Sequence, residues 1–144
     1  MRVASLMCFV FFVSISCNIL NAQEISRSDP LYRNVKSKLF VPLFRALKTG
    51  NVDAIKKYIS EDMHEKNKIL LEQNKEYPNF LRNFYRGALF QVKKVIKSEE
   101  IIYVDVMVSF PGGYQNVAKY QLKEEKTKEG KDIWKVINLI NDSY

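Results

Sequence analysis

The hydrophobic period changes at Gly87, and that change limits the fold more than any motif does. Before it, apolar residues recur three or four positions apart, as in Leu31, Val35 and Leu39. After it they alternate. Ile102, Val104, Val106, Val108 and Phe110 hold one parity, with Ile101, Tyr103, Asp105, Met107 and Ser109 on the other. A period near 3.6 belongs to a helix with one apolar face, and a period of 2 to a strand with two unlike faces. The sequence therefore predicts helices first and an antiparallel meander second, an α+β domain with N-terminal helices packed on one face of a four-stranded sheet.

Local signals refine this. Asp29-Pro30 suits a helix start, with the aspartate as cap and proline where its missing amide costs nothing. Pro42 predicts a bend or restart. Leu43, Phe44 and Leu47 carry the apolar face to Gly50, a C-terminal cap. Asn51 caps a short helix with Val52, Ile55, Tyr58 and Ile59 on one side. Ser60 opens another, with Glu61 and Asp62 in the first turn, where the helix dipole favours negative charge. Pro78 is expected to close that helix, and Phe80, Leu81, Phe84 and Tyr85 to form a last turn or two.

In the second half, Phe90, Val92 and Ile96 are expected to share a face of the first strand, followed by a turn at Ser98-Glu99-Glu100. Pro111-Gly112-Gly113 makes the next turn. Tyr114, Ala118, Tyr120 and Leu122 define the third strand, residues 123–131 a polar hairpin tip, and residues 133–140 the fourth strand. Trp134 and the Ile102 to Phe110 parity are expected to form the core.

The first twenty-two residues read as a secretory signal, with Arg2 as the positive start, Leu6 to Val13 as the apolar core and Leu20-Asn21-Ala22 as a small-residue exit. A membrane span needs about 20 predominantly apolar residues, and Ser14, Ser16, Cys17 and Asn18 interrupt this run. The expected organisation is a signal over 1–22, a flexible leader over 23–29 and one domain over 30–144, located outside the cell, in the periplasm or in the cell envelope. Cys8 and Cys17 both fall in the signal, so a chain cleaved after Ala22 has no thiol. That excludes a disulfide framework, a thiol nucleophile and a cysteine zinc site. Val13 to Cys17 also resembles a bacterial lipoprotein box, which implies acylation at Cys17 and a lipid-anchored envelope component, although Ser14 stands where such boxes usually carry a large aliphatic residue.

The formal net charge of the 144 residues is +7, and loss of Arg2 with the signal takes it to +6. The cations are scattered, which favours weak attraction to anionic surfaces. A nucleic-acid reader shows a basic stripe with a recognisable motif, so no nucleic-acid binding is expected.

Residues 46–60, ALKTGNVDAIKKYIS, resemble the opening helices of the nuclear transport factor 2-like superfamily, and residues 132–140, DIWKVINLI, its closing strand. The resemblance covers about residues 40–140. It implies a curved sheet wrapped around helices as a cone, with an open end that can hold a ligand. The same fold hosts steroid isomerases, dehydratases, transport adaptors and small secreted proteins, so it does not decide function.

Asp105 is the only charge between Ile101 and Phe110, and its parity sets it beside Tyr103. The resemblance implies that such a pair could act as proton acceptor and oxyanion donor in an isomerase or dehydratase pocket. The parity itself points to solvent, because the opposite one is wholly apolar. His64 is the only histidine, and Lys68 stands where a zinc-protease helix needs a second one. No GxSxG turn presents a serine. Gly112-Gly113 lies between strands and not before a helix, as a phosphate loop requires. No metal and no cofactor are expected. Tyr77, Phe80, Phe84 and Tyr85, with Tyr120, read first as core and second as the lining of a ligand-binding mouth. The preferred expectation is a binding or interaction module without catalysis. The occupants left open are an apolar ligand, a protein partner, or a second copy in a homodimer.

Overall fold

The computed structural model describes residues 21–141. The expected signal, with Cys8 and Cys17, lies outside the described residues apart from Asn21 and Ala22. Among the described residues no helix is long and apolar enough to cross a membrane.

Helices precede strands, with one exception. A two-residue strand, β1 (Gln23–Glu24), pairs antiparallel with β2 (Leu89–Ser98), Gln23 opposite Lys97 and Glu24 opposite Ile96. Ile25 follows into the core, and its amide donates to the Val95 carbonyl at 2.8 Å. The stretch expected as a flexible leader is thus tied down at its start, and the sheet has five strands where four were expected. Two residues are too few to show a period. With β3 (Ile101–Ser109), β4 (Gln115–Lys126) and β5 (Asp132–Asn141) the order is β1-β2-β3-β4-β5, antiparallel throughout.

Asp29 caps α1 (Pro30–Val35), its carboxylate accepting from the Leu31 amide at 2.8 Å. The α-helix restarts at Pro42, as expected, with the proline in its first turn. A π turn (Lys36–Phe40) leads into α2 (Val41–Thr49), with the Val41 amide reaching back to the Lys36 carbonyl. Proline has no amide hydrogen and its ring crowds the carbonyl four residues earlier, and a wider turn accommodates both. Gly50 ends α2 in the left-handed region at φ 65°. Asn51 caps α3 (Val52–Lys56) and Ser60 caps α4 (Glu61–Lys66), as expected. Pro78 opens a helix, however, and does not close one. It lies in the first turn of α5 (Tyr77–Phe84), after a second π turn (Ile69–Gln73).

The helices cover one sheet face. Val95, Val104, Val106 and Leu122 are wholly buried there, joined by Val35, Leu39, Phe40 and Leu43 from the helical layer. The other parity of β3, from Ile101 to Ser109, stays half-exposed. A bulge between Val92 and Lys94 shifts the register of β2, so Val92 and Val95 face the core while Ile96 pairs with Tyr103 on the outer side. Phe90, Val92 and Ile96 therefore do not share a face. Trp134 packs on the core from the last strand but is only half-buried. The free edge of β5 is covered by the segment between α3 and α4. The Val136 amide donates to the Tyr58 carbonyl, and the Ser60 amide to the Val136 carbonyl, both at 2.8 Å.

Candidate functional site

Between the helices and the inner face of β4 and β5 the core leaves a cavity of about 200 Å³. Leu43 and Leu47, one turn apart on α2, form a wall, and Leu81 of α5 stands beside them. Ile55, Ile59, Met63 and Leu71 close the side, and Val136 and Leu139 of β5 lie across from them. The register shift in β5 sets Leu139 opposite Tyr120. Two wider depressions flank the Glu99-Glu100 turn, one lined by Ser98, the two carboxylates and Tyr103 and the other by the same carboxylates with Lys97, Lys123, Glu124, Leu31, Ile102 and Trp134, so charged groups border both.

Four polar side chains reach this otherwise aliphatic space, namely Asn67, Tyr77, Tyr85 and Tyr120. Phe40 holds the Tyr120 ring edge-on, centroids 5.2 Å apart at 84°. Tyr85 leans on Phe90 at 5.4 Å. The Asn67 amide donates to the Met63 carbonyl at 2.8 Å, which leaves its oxygen as an acceptor. No hydrogen bond joins the hydroxyls of Tyr77, Tyr85 or Tyr120 to a described residue. Every fully buried side-chain polar atom among the described residues has a partner, so these three hydroxyls keep an open side.

Burial raises all three phenols above their usual 10.0, Tyr120 the most. Tyr77 adds to the effect on Tyr85, and Tyr85 to that on Tyr120, which marks the three as one cluster. Desolvation disfavours the phenolate, so at neutral pH each is an uncharged hydrogen-bond donor. The described residues that line the cavity include no carboxylate, imidazole or amine. The arrangement can bind and orient an acceptor, but it supplies no group that exchanges protons near neutral pH.

Of the sequence candidates, Tyr77, Tyr85 and Tyr120 meet at the cavity. Phe80 and Phe84 do not, being 55% and 50% exposed on the outer side of α5. Tyr103 and Asp105 lie on the sheet face turned away from the helices, Asp105 between Lys94 and Lys119 and 3.9 Å from the Lys119 amine. That pair cannot reach a ligand in the cavity. His64 is half-buried, its Nε2 2.8 Å from Glu72 Oε1, which also faces Lys56 at 3.8 Å. Among the described residues no three His, Cys, Asp or Glu side chains gather as metal ligands. Asn67 was missed, because an asparagine inside a helical stretch carries no periodic signal.

No protein-family model, no curated protein and no solved structure matches the chain.

Proposed function

We propose that this chain is a binding module that holds a small, mostly apolar ligand between its helices and its sheet, without transforming it. We further place it with the nuclear transport factor 2-like proteins, on the order helices then meander and on a cavity between the helical layer and one sheet face. Arg2, the apolar Leu6 to Val13 and the small-residue exit support export as part of the same reading.

One observation carries the binding reading, the convergence of three uncharged tyrosine donors on an aliphatic cavity. Their hydroxyls are without protein partners among the described residues, and each keeps an open side toward the cavity, so they are free to donate to a ligand. A ligand carrying a carbonyl would satisfy them. An apolar cavity of about 150 Å³ holds benzene, so about 200 Å³ suits a single ring with a small polar substituent.

Methyl NMR titration with acetophenone, and with toluene as its acceptor-free analogue, tests this. Saturable shifts are expected at Leu43, Leu47, Met63 and Leu139. Tyr120→Phe should weaken acetophenone by about three- to tenfold, the worth of one hydrogen bond, and leave toluene unchanged. Absence of saturable shifts with either probe would refute the proposal.

A further inference from the structure

We propose that an aromatic tip at one end of the sheet docks the protein on anionic phospholipid. Phe80, Phe84, Leu89 and Tyr114 are 55%, 50%, 70% and 65% exposed. Phe80 and Phe84 from α5 and Tyr114 from the β3–β4 turn form one strip through Phe110, and Leu89 at the start of β2 lies opposite Ser109, the residue before Phe110. Phe80 stacks on Phe84 at 5.4 Å, Phe84 meets Phe110 at 5.3 Å, and Phe110 meets Tyr114 at 5.7 Å. A contiguous exposed apolar surface marks an interaction site. These rings line none of the depressions described above, so they project outward.

Charge selects the partner. Between Tyr77 and Lys93 there is no Asp or Glu, while Arg82, Arg86 and Lys93 lie there; Lys94 and Lys97, further along β2, belong to the far end of the strand, where Lys94 meets Glu24 at 3.7 Å. Residues 106–123, which carry Phe110 and Tyr114, are also free of acidic side chains. Arg82, Arg86 and Lys93 are exposed. Aromatic rings favour the headgroup boundary of a bilayer, and each nearby cation adds attraction to an anionic leaflet. The strip also reaches the cavity, since Tyr77 stacks on Phe80 at 6.1 Å and Tyr85 meets Phe84 at 4.9 Å. The docking does not depend on what the cavity holds.

Vesicle sedimentation of protein purified from its own host, in its native N-terminal form, tests the proposal. Phosphatidylcholine vesicles containing phosphatidylglycerol should pellet the protein, and pure phosphatidylcholine should not. Binding should weaken as salt shortens the Debye length from about 10 Å toward about 3 Å. Phe80→Ser with Phe84→Ser should lower binding about tenfold or more, as two rings of this size lose their apolar contact, measured well below a melting temperature that the lost ring contacts lower and with circular dichroism showing the variant folded. Arg86→Glu with Lys93→Glu should act in the same direction. Any N-terminal contribution is common to all variants. Equal pelleting on neutral lipid, or full binding by either double variant, would overturn the proposal. So would a wild-type dimer that Phe80→Ser with Phe84→Ser converts to monomer, which would assign the strip to a second copy.

Discussion

The Tyr32 hydroxyl donates to the Val92 carbonyl at 3.0 Å, fastening α1 to β2 beside the bulge that re-aims that strand. A bulge disrupts the ladder locally, and a buried phenol placed over it compensates while packing its ring in the core. Tyr120 is equally buried but its hydroxyl faces the cavity. Two core tyrosines thus have different tasks, one structural and one available to a ligand.

The difference is measurable. Tyr32→Phe removes a made hydrogen bond and is expected to cost about 1–2 kcal/mol in urea melts. Tyr120→Phe removes a hydroxyl with no partner among the described residues and should change stability by less than about 0.5 kcal/mol. Equal losses would mean that the Tyr120 hydroxyl is bonded within the protein.

Gly50→Ala should destabilise the fold by at least about 1 kcal/mol, the cost of a left-handed backbone at a residue with a Cβ. The φ of 65° is one cause, and the second is that the added methyl would fall on the Pro78 carbonyl. Relief requires α5 to move away from the end of α2. Because Tyr77 and Tyr85 flank α5, acetophenone binding should weaken along with the melting temperature, and unchanged affinity would separate the cavity from α5.

Raised phenol pKa values make the fold sensitive to alkali. A phenol whose folded pKa lies above its unfolded value keeps its proton longer in the folded chain. Its contribution is complete below about pH 10 and is lost as pH rises from there through the folded value. Burial raises Tyr120 most, with Tyr85 and Tyr77 behind it. Urea melts should therefore show a stability decline above about pH 10, shallower in Tyr120→Phe than in the wild type. An identical slope in the two proteins would refute the assignment.

Much of the layout was readable because it rests on near neighbours. Asp29, Asn51 and Ser60 cap their helices through amides two or three residues away, and the even parity of β3 faces the helices as its alternation requires. Errors arose where distant contacts decide. The Phe80 and Phe84 stripe looks like core until the fold leaves that side of α5 uncovered. Trp134 sits at the last strand and is half-buried.

The sequence by itself determined the order of elements, the helix caps, the turn at Pro111-Gly112-Gly113 and the apolar face of the central strand, since each follows from the spacing of residues within one element. Only the tertiary structure decided that Tyr77, Tyr85 and Tyr120 converge on a cavity while Asp105 and Tyr103 turn away, that a bulge reverses Ile96, and that Gln23 and Glu24 complete the sheet. The reason is physical. Periodicity specifies which face of an element is apolar, but the packing of remote elements decides which parts of that face are filled, which are left open and which remain in water.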